Sequence, residues 1–287
     1  LIGDEPGTPG AGRQSLGGPW RVCFTAEEKG MNDSREHSGR PEAIRVENLW
    51  LGYGGRVILE DVSLIVHAGE IVTILGTSGC GKSTLMRGMI GLLPPRKGRI
   101  FFQGREVDPE EGLDWARQKM GVLFQSGALI GSLTLSENVS LPIEEHSDLP
   151  EELIRDIVQF KLELVGLGSF GSYLPSELSG GMRKRAALAR AMALDPEILF
   201  CDEPSSGLDP ITSVEMDELL LELNSSLGIT MVVITHELPS IEKISHRCIV
   251  LDGQARGIIA TGKPAELKAD HRDPRVQAFF RRQTLDG

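Results

Sequence analysis

A chain of 287 residues with 40% hydrophobic and 25% charged side chains has the make-up of a soluble globular fold with enough length to bury a substantial core, and no apolar run reaches the roughly 18 residues that would suggest a membrane span. The formal net charge of -11 argues against broad electrostatic capture of nucleic acid, which calls for a basic face. The cysteines, Cys23, Cys80, Cys201 and Cys248, lie far apart without CxxC spacing, which excludes a zinc site and a disulfide framework and fits a reducing compartment.

Residues 1–42 are rich in Gly, Pro and Ser, lack sustained periodicity, and do not carry the basic, apolar, small order of a secretory signal; they read as a disordered leader. Met31 opens a polar stretch ahead of the first strand pattern and is the expected natural start. From Ile44 the pattern becomes strand, turn, strand over residues 44–51 and 57–66, followed by a β-branched run over 71–75 that stops at Gly76. Later apolar runs at 99–103, 120–124, 198–202, 231–235 and 248–251 alternate with helical stretches, predicting a mainly parallel sheet with helices packed on it, an α/β architecture. Between Gln125 and Met192 strand signals give way to helical ones at 150–165 and 180–192, so a helical subdomain inserted into the α/β core is expected. Cys80 and Cys201 are expected to be small, buried fillers.

Gly76-Thr77-Ser78-Gly79-Cys80-Gly81-Lys82-Ser83 satisfies G-x-x-x-x-G-K-[ST] between a predicted strand and a predicted helix, the setting this phosphate-binding loop requires. Its glycines let backbone N–H groups converge on phosphate oxygens, Lys82 supplies a mobile positive charge, and the helix that follows begins with its positive dipole end at the same place. Ser83 is placed to ligate Mg²⁺, and Thr84 completes the run expected to hold nucleotide. Downstream, the apolar run 198–201 ends in Asp202-Glu203, two acids at the carboxyl end of a buried strand, where open α/β sheets bind ligands. Asp202 is expected to hold Mg²⁺, and Glu203 to orient and deprotonate the water that attacks a γ-phosphate. The basic trio Arg183-Lys184-Arg185 reads mostly as a solvated helix face.

Between the two motifs, Leu178-Ser179-Gly180-Gly181-Met182 closely resembles the LSGGQ signature of ABC ATPases. The resemblance implies a P-loop core with an antiparallel β subdomain and an inserted helical subdomain, ATP with Mg²⁺ as its ligands, and a head-to-tail homodimer. In such a dimer Ser179, Gly180 and Gly181 of one copy cap the phosphate held by the other. It further implies that Tyr53 stacks on adenine, that Gln125 senses Mg²⁺ and attacking water and lies near the docking site of an integral-membrane permease, that Asp209 in Ser206-Gly207-Leu208-Asp209 crosses the dimer interface, and that His236 contacts the γ-phosphate. It covers residues 44–262, leaving 263–287 as a C-terminal helical tail with apolar positions at Val276, Phe279 and Phe280.

Met182, where most relatives carry Gln, together with Phe124-Gln125-Ser126-Gly127-Ala128-Leu129 and Asp273-Pro274-Arg275-Val276, resembles the MlaF-like branch that serves MCE-type phospholipid transporters. That branch implies an MCE-domain protein and a small regulatory subunit as further partners, a place on the cytoplasmic face of the inner membrane, and no nucleic acid. The alternatives are a transporter of another substrate, which shares every catalytic residue, and a soluble ABC ATPase acting on DNA or ribosomes, which the acidic balance disfavours.

Overall fold

In the computed structural model, which describes residues 40–107, 113–270 and 272–281, the first two strands, β1 (Glu42–Tyr53) and β2 (Arg56–His67), pair antiparallel across a tight turn. Along β2, Val62, Leu64 and Val66 are buried while their neighbours are partly or fully exposed, the alternation of a sheet with one packed face. Strands β4 (Lys97–Phe102) and β5 (Arg105–Glu106) extend this sheet in the order β2-β1-β4-β5. The leader and start-site expectations fall on residues 1–39, outside the described residues.

The second sheet has six strands in the order β10-β9-β3-β8-β7-β6. Its centre is β3 (Ile71–Leu75) beside β8 (Thr230–Ile234), both buried at every residue, as parallel strands covered on both faces must be. To one side lie β7 (Ile198–Asp202) and β6 (Met120–Leu123), and to the other β9 (Arg247–Asp252), all parallel to β3. Strand β10 (Gly257–Gly262) closes the edge antiparallel to β9. Successive residues of β7 separate the two main cores. Ile198 and Phe200 pack with Leu49, Leu85 and Phe102 on the face toward β1 and β4, whereas Leu199 and Cys201 pack with the helices of the other face, the period of two expected of a strand.

Helix α1 (Lys82–Met89) follows β3, and the short α2 (Asp114–Arg117) precedes β6. Between β6 and β7 lie α3 (Leu135–His146), α4 (Glu151–Leu164) and α5 (Gly180–Ala191), with no strand among the described residues there. Helix α6 (Pro210–Leu227) connects β7 to β8, and α7 (Leu238–Ile244) connects β8 to β9. Finally α8 (Pro264–Asp270) and α9 (Pro274–Arg281) pack Leu267, Val276 and Phe280 on Leu75 and Val250. Cys80 and Cys201 are both buried, as expected.

The α/β class stands as read from sequence, with particular differences. Strand β5 is two exposed charged residues and β10 is an edge strand bounded by glycines, so neither offers an apolar run. Helix α3 carries Pro142 in its interior, a helix-breaking signal. It forms because Thr134 accepts a hydrogen bond from the Glu137 N–H at 3.2 Å while the Glu137 carboxylate accepts from the Thr134 N–H at 2.7 Å, a reciprocal cap.

One ion pair ties the two sheets together. The fully buried Glu70 carboxylate receives Arg247 Nε at 2.7 Å and Nη2 at 2.8 Å, and Nη2 also donates to the Ile65 carbonyl of β2 at 2.6 Å. Glu70→Ala would leave a partly buried guanidinium without its carboxylate and is expected to cost about 3 kcal/mol, read as a lowered midpoint in urea unfolding; a loss below about 1 kcal/mol would contradict the clamp.

Candidate functional site

A cavity of about 670 Å³ opens at the carboxyl ends of the parallel strands. Its floor is the loop from β3 to α1: Gly76, Thr77, Ser78, Gly79, Gly81, Lys82, Ser83 and Thr84 all line it. Gly81, the residue before α1, has φ of 109°, so the loop turns into the helix through a conformation that favours glycine. Cys80 does not line the cavity; it is buried below the loop, where desolvation pushes its thiol pKa up. Lys82 Nζ folds back onto the carbonyl oxygens of Gly76 at 2.8 Å and Thr77 at 3.0 Å.

The opposite wall brings together Gln125, Asp202, Glu203 and His236. Burial pushes the Asp202 carboxyl above its ordinary range, opposed by a hydrogen bond from Ser83 and by the charges of Arg87, Lys82 and Lys184. Glu203 adopts φ of 52°, a left-handed backbone that costs a non-glycine residue about 1–3 kcal/mol and is characteristic of functional sites. Its N–H donates to the Ile234 carbonyl at 2.8 Å. One carboxylate oxygen, Oε1, accepts from His236 Nδ1 at 2.8 Å, while Oε2 is buried without a hydrogen-bond partner among the described residues. A buried carboxylate oxygen left unpaired in this way is costly unless a ligand or water completes it.

Other expected residues stand apart. Tyr53 is 45% exposed at the end of β1, where its hydroxyl accepts from Arg87 Nη1 at 3.1 Å, and it is not on the cavity wall. Ser179, Gly180, Gly181 and Asp209 do not line the cavity either. Ser179 caps α5, its hydroxyl accepting from the Met182 N–H at 3.2 Å. Asp209 caps α6, accepting from the N–H groups of Ile211 and Thr212, each at 3.1 Å; the Thr212 hydroxyl first, and then these N–H groups, hold its pKa below the usual carboxylate range. Gly180 lines a separate recess of about 160 Å³ with Ser126 and Gly207.

Two features were not legible beforehand. Phe279 of α9 reaches the cavity wall, as do Ile58 and Ile234, and α9 is fastened there by Arg275 bonded to Asp252 at 2.7 Å and Asp273 at 2.6 Å. The basic trio is a solvated face only in part: Arg183 is exposed, as expected, Arg185 is partly buried and Lys184 is buried. Lys184 is 7% exposed, and its Nζ donates to the carbonyls of Gln125 at 2.5 Å and Glu203 at 2.9 Å. Arg183 bonds the Leu178 carbonyl, and Arg185 pairs with Glu215 at 2.8 Å. The reason is tertiary: α5 packs against β6, so the Lys184 ammonium meets the carbonyls just beyond β6 and β7 rather than water.

A glycine-lined anion cradle, a lysine beside it, and an acidic pair at the next strand ends define a nucleoside triphosphate site of the P-loop kind. Residues 59–206 match the family model described as ABC transporter, and the chain belongs to that family and carries its ATPase domain. It is 46% identical over 198 residues to the "Probable ribonucleotide transport ATP-binding protein mkl" of Mycobacterium leprae, covering 68% of this chain but only 57% of that protein. It is 44% identical over 230 residues to the "Intermembrane phospholipid transport system ATP-binding protein MlaF" of Escherichia coli K12, covering 79% of this chain and 84% of that one. Its fold matches a dimeric post-hydrolysis structure of the ATP-binding cassette MJ0796 bound to ADP and Pi, with a TM-score of 0.69 and 31% identity over 77% of this chain and 98% of that one.

Because folding raises the Asp202 pKa, the native state binds its proton more tightly than the unfolded chain, and this residue lowers stability as pH rises from below the ordinary carboxylate value. Without metal or nucleotide, Asp202→Asn is therefore expected to raise Tm at pH 7, with the gain shrinking as pH falls through the raised folded pKa and gone below about 4, the ordinary carboxylate value. A gain that is absent at pH 7, or that grows on acidification, would contradict the assignment.

Proposed function

We propose that this chain is the ATP-hydrolysing subunit of an ABC transporter that moves phospholipid, working as a homodimer docked on an integral-membrane permease. The observation that carries the enzymatic half is the convergence of Lys82, Asp202, Glu203 and His236 on one cavity, with an unpaired Glu203 oxygen buried in its wall. Lys82 exchanges the loop carbonyls for β- and γ-phosphate oxygens, which the backbone amides of residues 76–84 and the N-terminus of α1 also hold. Glu203 takes the proton of the attacking water, and His236 orients that carboxylate and faces the γ-phosphate.

Ser83, Asp202 and Gln125 form a hard-oxygen donor set suited to Mg²⁺. Mg²⁺ is commonly held by few protein ligands together with substrate phosphates. Bound there, Mg²⁺ would neutralise charge on the transferring phosphoryl group.

Ser179, Gly180, Gly181 and Asp209 lie off this cavity and act on the nucleotide of the second copy, as the dimeric relative supports. Tyr53 receives the adenine on nucleotide entry. The permease docks near Gln125, and an MCE-domain protein and a small regulatory subunit complete the assembly at the cytoplasmic face of the inner membrane. Among the described residues no helix is long and apolar enough to cross a membrane; in this reading the permease supplies the membrane-spanning part. Residues 43–262 form the ATPase domain, with a helical subdomain at about 126–192, and 263–287 form its tail.

Phospholipid as the cargo is supported by the likeness to MlaF across 84% of that protein. A second reading, a permease carrying ribonucleotides, is favoured by the name of the mycobacterial relative.

Glu203→Gln is expected to lower kcat for ATP about 10²–10⁴-fold while ATP affinity stays within about threefold; wild-type turnover in that variant would remove Glu203 from its role. Affinity purification from native membranes in mild detergent is expected to bring down a permease, an MCE-domain protein and phospholipid. A permease that stimulates hydrolysis with ribonucleotides and carries no lipid selects the second reading, and ribosomes or DNA-repair proteins without a membrane component overturn transport.

A further inference from the structure

Helix α5 holds two neighbouring pieces of the cavity wall, beyond the paired strands β6 and β7, by their backbones. In its second turn, Lys184 Nζ bridges the carbonyl oxygens of Gln125 and Glu203 at 2.5 and 2.9 Å. One and a half turns later, Arg190 donates to the carbonyls of Ala128 at 2.7 Å and Gly127 at 3.0 Å. At the head of the same helix sits Ser179, its N-cap. A single rigid element thus begins at the signature serine, grips the segment after Gln125 at two points, and reaches the backbone of Glu203.

Packing alone does not call for a lysine at this position. Lys184 is 7% exposed, and a leucine or methionine would occupy a buried position without the cost of desolvating an ammonium. Desolvation does drive the Lys184 pKa down, opposed by the charges of Glu203 and Asp202. What the ammonium does that an apolar side chain cannot is donate several hydrogen bonds from one point. Both acceptors are main-chain carbonyls, so its effect is on chain geometry. Glu203 is in the left-handed region at φ of 52°, with its N–H fixed to the Ile234 carbonyl at 2.8 Å. Lys184 fixes its carbonyl, so both peptides flanking the Glu203 Cα are held and the carboxylate is aimed at His236.

We propose that Lys184 is a positioning residue for hydrolysis, pinning the backbone of Glu203 to that of Gln125 so that any displacement of the signature helix is transmitted to the general base. The inference rests on the reading of Glu203 as that base. Its physical content is one stiff helix whose position both ends share: when a second copy's nucleotide engages Ser179, α5 is fixed, and with it the setting of Glu203 in its own cavity.

The test is a double-substitution cycle on the full-length chain: wild type, Lys184→Met, Glu203→Gln and the double variant, with Lys184→Arg as the conservative replacement. ATP affinity is measured by equilibrium binding, and turnover is expressed per bound nucleotide, so that loss of folded protein does not enter kcat. Lys184→Met is expected to lower kcat about 10-fold or more with ATP affinity within about threefold, and Lys184→Arg to restore part of the loss. In the Glu203→Gln background, Lys184→Met should add little, because a residue that acts through Glu203 has nothing left to position. If Lys184→Met does not fold, Lys184→Gln carries the same cycle. Wild-type kcat per bound site in the Lys184 variants, or losses that simply multiply in the double variant, would overturn the positioning role while leaving Glu203 as base. Wild-type turnover in Glu203→Gln would overturn both.

Discussion

The closeness with which the chain leaves β3 fixes everything that follows in this site. A Cβ on Gly76 would stand 2.3 Å from the Leu251 carbonyl of β9 and 2.6 Å from Cys80 Sγ, and φ there is 144°; only glycine passes. That exit sets where α1 begins, and hence where Lys82 and Ser83 stand. Strand register supplies the opposing wall. Ile74 pairs with Ile234 and Ile234 pairs with Asp202, so Gly76, Glu203 and His236, each just beyond that row, meet at one edge of the sheet. The acidic pair and the histidine face the phosphate loop because parallel strands bring equivalent ends together.

The same geometry leaves the other half of the chemistry elsewhere. Ser179 lies on α5, off the cavity, with its hydroxyl engaged by its own helix, while Asp209 caps α6. In the proposed homodimer these helix ends, with their positive dipoles, face the nucleotide of the second copy. In that reading one nucleotide is completed by two copies, and the strained Glu203 with its buried unpaired oxygen belongs to an enzyme that is assembled rather than self-sufficient.

What could be read from the sequence was what is local. The loop from Gly76 to Ser83 is contiguous, and its glycines and lysine carry their function in their spacing. Asp202-Glu203 was visible because Ile198 to Cys201 form an unbroken apolar run ending at the acids. Lys184 was hidden for the opposite reason: three consecutive cations on a helix look solvated, and the burial of the middle one goes with carbonyls at Gln125 and Glu203, distant in sequence. In the tail, Val276, Phe279 and Phe280 were evident as apolar positions, but spacing cannot say which surface each meets. Two pack on the domain and Phe279 turns to the cavity. Tyr53, expected to stack on adenine, stands at the end of β1 outside the cavity lining, and order along the chain says nothing of that distance.

The central claim is that one chain holds half of each catalytic site, and the most direct measurement is the solution mass of the Glu203→Gln protein by light scattering with and without Mg-ATP. The account predicts a monomer that becomes a dimer with nucleotide and stays a monomer when Ser179 is also replaced by Phe. A protein that remains monomeric at saturating Mg-ATP, or dimerises equally without it, would contradict it.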